Sequence, residues 1–322
     1  MTVRLLTSAE VKKLERVTRA DRHSAPHRFF VRDAETVRRI ARESHAKPDD
    51  VVLEIGAGLG TVTLGLLERH ASVIAVESDD QLAQQLPVVA ADHTHSEIHR
   101  LTVYNADTGA LRPEDLPAQP TIIVANFPGA HDVDVLPTLL GRFPTVRSVI
   151  LLGQSRAVSH LLPGSGTDHE PLALKLAFFG RIRNSAAVSP SELSPRPRAG
   201  YALARLDRKP ARPWPSDDAF RRSVFELIDI AFSHRRRSAR TAFAQWAGCG
   251  AESARRLLAA SIDPARPAET LDIEDFVRLQ RRWETLEASE PGEHRTTAWG
   301  GGGAVPVGVS VPSGGHRHRT AS

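Results

Sequence analysis

Cysteine is almost missing from this chain of 322 residues, where Cys249 stands alone. One thiol can neither close an internal disulfide nor build a cysteine-rich zinc site. It is expected to be buried and inert. No stretch approaches the roughly 20 consecutive apolar residues of a membrane span. Residues 1–10 lack the apolar core of a signal peptide. The expected address is therefore the cytoplasm, with no membrane partner. Strong charge of either sign is also lacking: the formal net charge is +4. The isoelectric point of about 9.6 still permits an anionic partner. His316 and His318 fall in a tail of small residues, and no metal site is expected.

What is present centres on Val51-Val52-Leu53-Glu54-Ile55-Gly56-Ala57-Gly58-Leu59-Gly60-Thr61. A short apolar run reads as a buried parallel strand. Gly56, Gly58 and Gly60 fall where that strand must turn into a helix, whose apolar face resumes at Leu64, Leu66 and Leu67. Glycine suits a tight turn that lets a ligand come close to backbone. The next strand, Ser72–Glu77, ends on an acid roughly twenty residues later, where a carboxylate can accept ribose hydroxyls. A nicotinamide dinucleotide would satisfy the same logic. The glycine spacing, however, lacks the two-residue gap of the dinucleotide fingerprint. Glu54, two residues before the first glycine, is placed to face a cationic sulfonium. Glu-x-Gly-x-Gly-x-Gly resembles the first motif of S-adenosylmethionine methyltransferases.

Strand and helix patterns alternate to about residue 152, with strands at 101–103, 121–125 and 148–152 and helices at 79–91 and 133–143. This order predicts an open, largely parallel α/β sheet. Such sheets bind ligands at the carboxyl ends of their strands, where Gly56, Glu77, Asp107 and Asn126 all fall. Residues 172–179 and 202–206 are expected to form two closing strands. The proline-rich stretch 189–197 between them is expected to be irregular. Residues 1–24 read as a basic arm with a short helix capped by Ser8. Residues 208–215 read as a linker and 289–322 as a disordered tail. Helical spacing returns after the linker, through Phe220, Val224 and Leu227 to Phe276 and Leu279. This makes 216–288 a small all-helical domain. Its densest basic run holds Arg235, Arg236, Arg237 and Arg240, either a solvated face or a phosphate-binding patch.

Asn126-Phe127-Pro128-Gly129 directly follows a buried strand. Asn/Asp-Pro-Pro-Tyr and its variants hold this place in amino methyltransferases. There the side-chain amide accepts a hydrogen bond from the target amine and positions it for in-line attack. With Phe30-Val31-x-Asp33, the glycine motif, Glu77, Asp107, Asn126-x-Pro128, Pro190…Pro195-x-Pro197 and the helical end, the chain resembles the ribosomal RNA adenine dimethyltransferases. The likeness runs from about Phe30 to Leu279 and is strongest to actinobacterial housekeeping members.

The resemblance implies a Rossmann-like methyltransferase core over 25–207, with the helical domain gripping RNA. It implies S-adenosylmethionine as cofactor, ribosomal RNA or the small ribosomal subunit as partner, a monomer, and methylation of adenine N6. Phe30, Glu54, Gly56, Gly58, Gly60, Glu77, Asp107 and Asn126 would contact the cofactor. Asn126 and Pro128 would hold the target amine.

Three positions depart from the family. Its Gly-Gln-Asn-Phe is here His27-Arg28-Phe29-Phe30. The aromatic residue that stacks on the target base is Gly129. The phenylalanine of the proline segment is Leu193. These losses converge on the base pocket and predict adenine methylation that is weakened or retargeted. Phe29 and Phe127 are the nearby rings that could replace the missing one, and Phe127, just after a strand, is expected to face the core. The rival readings are a non-catalytic RNA-binding relative that keeps the cofactor fold, and a small-molecule methyltransferase.

Overall fold

The computed structural model describes residues 3–18, 28–127, 132–162, 170–209, 214–215 and 217–289. Pro128 and Gly129 lie outside the described residues. So do 19–24 of the arm, 210–213 of the linker and 290–322 of the tail.

The first helix, α1 (Ser8–Val17), is capped by Thr7 and not by Ser8. Thr7 Oγ1 accepts the Glu10 N–H, and the Glu10 carboxylate accepts the Thr7 N–H at 2.8 Å. This reciprocal capping box satisfies two otherwise orphan donors. Val3, Leu5, Leu6 and Val11 are buried, so this part of the arm belongs to the core. Next come β1 (Phe30–Val31), α2 (Ala34–Glu43), β2 (Val51–Ile55), α3 (Thr61–Leu67), β3 (Ser72–Glu77), α4 (Asp80–His93), β4 (Leu101–Asn105) and β5 (Ile122–Asn126). The second half of the sheet region holds α5 (Leu136–Arg142), β6 (Ser148–Gln154), α6 (Ser155–Leu161), α7 (Pro171–Ala177), β7 (Gly180–Val188), β8 (Leu193–Ser194) and β9 (Tyr201–Arg208). Four helices follow: α8 (Asp218–Ser233), α9 (Ala239–Ala242), α10 (Gly250–Ala259) and α11 (Ile273–Ser289).

Seven strands form one sheet in the order β4-β3-β2-β5-β6-β9-β7. The first five are parallel; β9 runs antiparallel between β6 and β7. The chain builds outward from β2 through β3 to β4, then crosses to the other side of β2 for β5. The crevice at that reversal is where open α/β sheets take their ligands. Residues alternate between two apolar clusters, as a pleated strand requires. Leu53, Ile55, Ile123 and Leu151 enter one; Val52, Val73, Val124 and Ile150 enter the other. The first cluster continues without a break through Phe178, Phe179 and Phe220 to Phe276 and Leu279, so α8–α11 share the core of the sheet. Residues up to Trp283 form one packed unit; the chain from Glu284 forms a second, described only for the end of α11.

Two further expectations need correction. Residues 172–179, expected to form a closing strand, do not. They form α7, started by Pro171 at its first turn, and the strand begins only at Gly180. Leucine, alanine and lysine favour helix, and the stretch has no β-branched residue to oppose it. Cys249 is exposed, because it caps α10: its Sγ accepts the Glu252 N–H at 3.4 Å. Among the described residues, no helix is long and apolar enough to cross a membrane.

Candidate functional site

Gly56, Gly58 and Gly60 all have left-handed backbone, with φ of 69°, 56° and 81°. L-residues with a side chain rarely adopt it. Space excludes side chains as well. A Cβ on Gly56 would lie 2.7 Å from the backbone oxygen of Asn126, and one on Gly58 would lie 2.8 Å from the Phe30 ring. The glycine loop is therefore pressed between the end of β5 and the start of β1. Gly56, Gly58, Glu77 and Asn126 come together at the carboxyl ends of β2, β3 and β5, as the sequence predicts.

Glu77 is 4% exposed and holds the loop. Its Oε2 accepts the Gly58 N–H at 2.8 Å, and its Oε1 accepts the Asp79 N–H at 2.9 Å. Asp79 caps α4 by accepting the Leu82 N–H at 3.1 Å. Arg28 reaches across both acids. Its Nη1 donates to Asp79 Oδ2 at 2.9 Å, and its Nη2 stands 3.7 Å from Glu77 Oε1. Burial works to raise the pKa of the Asp79 carboxyl, but the Leu82 N–H and Arg28 outweigh it and hold it below its ordinary value. Arg28 occupies the family's glutamine position, and sequence reasoning recorded it only as a loss. A cation set to clamp acids on another strand leaves no local sequence signal.

Glu54 is 2% exposed and accepts the Thr63 hydroxyl at 2.6 Å, tying β2 to α3. Burial raises its pKa to about 8; the Thr63 hydroxyl opposes that shift and the nearby Glu77 charge adds to it. Asp107 is exposed at the end of β4, with Oδ1 accepting the Gly109 N–H at 2.7 Å. It follows the outermost strand of the parallel set, which pairs with Glu77's strand.

The acceptor Asn126 ends β5. Its Nδ2 donates to the Phe29 carbonyl at 3.3 Å, which leaves Oδ1 as the acceptor that can meet an incoming amine. Phe30 is buried and pairs with Ser194, while Val31 pairs with Leu193. This small ribbon seats the Phe30 ring on the glycine loop. The proline-rich stretch is thus partly regular, because β8 finds its partner far away in sequence. Phe127 is 5% exposed and faces the core, as expected. Phe29 is half-buried and meets Tyr201 edge to face, with ring centroids 5.6 Å apart. Tyr201 pairs in register with Gln154 at the end of β6. Gln154 lines a cleft of about 830 Å³, together with Arg156, His160, Lys175, Arg222 and Phe225. This cleft left no mark in the sequence, since α6, α7 and α8 supply it.

The arginine run of the helical region is divided. Arg235 pairs with Glu269 at 2.9 Å, and Arg240 donates to the Gly250 carbonyl at 3.2 Å. Arg236 and Arg237 are exposed. No group of acids, histidines and cysteine that could hold a metal occurs among the described residues.

Known proteins agree with this geometry. The ribosomal RNA adenine dimethylase family matches residues 24–284. Proteins named ribosomal RNA small subunit methyltransferase A from Mycobacterium tuberculosis (strain ATCC 25177 / H37Ra) and Mycobacterium bovis (strain BCG / Pasteur 1173P2) are each 51% identical over 284 residues, covering 88% of this chain and 89% of theirs. The fold is similar to that of a dimethyladenosine transferase from Plasmodium falciparum, with a TM-score of 0.65, 18% identity, and 79% of this chain and 97% of that one covered. It is also similar to the 23S rRNA methyltransferase ErmE, with a TM-score of 0.58, 21% identity, and 79% and 99% covered. With a family match over nearly all of the described residues and half of the aligned positions shared with the mycobacterial proteins, the chain belongs to the ribosomal RNA adenine dimethylase family.

Proposed function

We propose that the chain methylates adenine N6 in small-subunit ribosomal RNA, with S-adenosylmethionine as methyl donor. The observation that carries this reading is the close approach of the Asn126 backbone to Gly56, whose Cβ would lie 2.7 Å from the Asn126 backbone oxygen. The residue suited to accept from a target amine thus stands beside the loop suited to hold the donor.

The residues fit an adenosine-bearing cofactor. The left-handed glycines let the loop backbone lie against Asn126, Phe30 and Leu86, where any Cβ would clash. Glu77, fixed by two backbone donors, keeps lone pairs for ribose hydroxyls, and Asp107 at the adjacent strand end suits the adenine amine. Phe30 closes the loop from above. When bound, the cofactor supplies an electrophilic methyl group. Asn126 Oδ1 would accept an N–H of the target amine, turning the nitrogen lone pair toward that methyl. Holding the reactants in line does most of the work. Pro128, by its place in the motif, would help hold the same amine.

Arg236 and Arg237 would meet RNA phosphates, making 216–288 the RNA-gripping part of a cytoplasmic monomer. The test is to incubate the protein with labelled S-adenosylmethionine and undimethylated small ribosomal subunits, then map any methylated base. Label on adenine N6 supports the reading. Cofactor binding with no transfer to RNA would leave the scaffold or small-molecule alternatives.

A further inference from the structure

A base withdrawn from its stack must find a new surface, and the chain has Gly129 where its family has the ring that provides one. Three phenylalanines stand near the acceptor amide: Phe29, Phe30 and Phe127. Phe127 is unavailable: it is buried beneath the sheet, with its N–H held by the Leu152 carbonyl at 3.0 Å. Phe30 is also spent, buried on Gly58. Phe29 remains. Its carbonyl is the anchor of the Asn126 amide, so its backbone lies within one hydrogen bond of the group that would grip the target amine. Its ring is only half-buried. Tyr201, itself 2% exposed, braces it edge to face with an interplanar angle of 74°. That geometry fixes the ring's orientation while leaving ring surface uncovered. Tyr201 in turn pairs in register with Gln154, which lines the neighbouring cleft. Phe29 is therefore a braced, half-exposed ring whose backbone holds the acceptor amide.

We propose that Phe29 is the stacking surface for the target adenine, taking over from the segment after β5 the role its missing ring would play. The proposal rests on the methyltransferase reading above. It makes Phe29 a substrate-contacting residue and Tyr201 a positioning residue that acts through it.

The experiment compares F29L, which keeps an apolar side chain without a π face, with F29W, which keeps the face. Single-turnover methylation of undimethylated small subunits should be about five- to a hundredfold slower for F29L, the range expected for one base–aromatic stack. F29W should stay near the native rate. Calorimetric affinity for S-adenosylhomocysteine should be the same in all three, which a merely structural role for Phe29 would not preserve. F29L turning over as fast as the native protein, with that affinity intact, overturns the proposal.

A second readout needs no turnover. Each variant is titrated with a short single-stranded adenine-rich RNA carrying one 2-aminopurine. Direct stacking on the indole of F29W should quench the probe relative to F29L. Equal fluorescence at saturation overturns the proposal. A native protein that transfers no methyl group rejects the functional reading, and the quenching result then decides the stacking role by itself.

Discussion

Replacing Glu77 by glutamine separates the two tasks that the structure gives this acid. In the native protein each carboxylate oxygen accepts a backbone N–H, from Gly58 at 2.8 Å and from Asp79 at 2.9 Å, at 4% exposure. Glutamine offers one oxygen and one NH2. Whichever way the amide turns, one backbone donor faces another donor, and Arg28 loses a charged neighbour. Losing one charge-assisted hydrogen bond costs about 1.5–3 kcal/mol. Near a melting transition that is about 2–4 °C per kcal/mol for domains of about 150–250 residues. E77Q should therefore melt several degrees lower with no ligand present. Its affinity for S-adenosylhomocysteine should fall as well, because the ribose hydroxyls lose their acceptor. Far-UV circular dichroism melts with and without the ligand, beside a calorimetric titration, read both effects. An acid that served only the cofactor would lose affinity while the ligand-free melting temperature stayed put. That result would refute the claim that Glu77 holds the glycine loop.

Three further outcomes are expected. Burial raises the Glu54 pKa from 4.5 to about 8, so the folded state keeps a proton that the unfolded chain has lost across that window. Stability should fall as pH rises from about 4.5 to 8 and the slope should disappear in E54Q, as melts of both proteins across pH would show. Burial also works to raise the Asp50 pKa, but the Arg147 guanidinium at 2.6 and 2.7 Å, the Lys47 N–H and the Thr121 hydroxyl bring it down to about 2. Its contribution should be complete above the ordinary value of 3.8 and lost as pH falls toward 2, so D50N should melt below the native protein at neutral pH and alike at the acid end. For RNA, R236A and R237A should each lower the salt slope of ribosomal RNA binding by about one, while R235A, whose native side chain is already paired with Glu269, should change it less. Equal slopes for all three variants would contradict the division of that run.

The glycine loop and the parallel strands could be read in advance because their causes are local. An apolar run of strand length, a turn that tolerates only glycine, and an acid at the next strand end all lie within one stretch of chain. Asn126 followed for the same reason, as the residue that ends a buried strand. What escaped depends on partners distant in sequence. Nothing near residue 193 announces that Leu193 will pair with Val31, or that Arg28 will bridge Glu77 and Asp79. The misread α7 shows the opposite failure. Its leucines alternate as a strand's would, but its helix-favouring residues and the Pro171 start decide for helix, and packing, with Leu174 and Leu176 buried and Lys175 paired with Asp229 at 2.7 Å, holds it there. The sequence offers Phe29 as one of two rings that could replace the missing aromatic, but not what braces it. Its use depends on Tyr201, one of only two tyrosines in the chain.

The ribbon of β1 and β8 also has a consequence in time. The glycine loop, Glu77 and Asn126 are all synthesised in the first half of the chain, yet the strand that holds Phe30 over the loop waits for Leu193 and Ser194. Arg32 likewise waits for the Glu192 carbonyl, to which its N–H donates at 2.9 Å. A chain emerging from the ribosome folds from its N-terminal end and can assemble the floor of the pocket early, but the roof closes only after β8 has left the exit tunnel. The ring that covers the glycine loop is thus in place only once the chain has been made at least as far as β8.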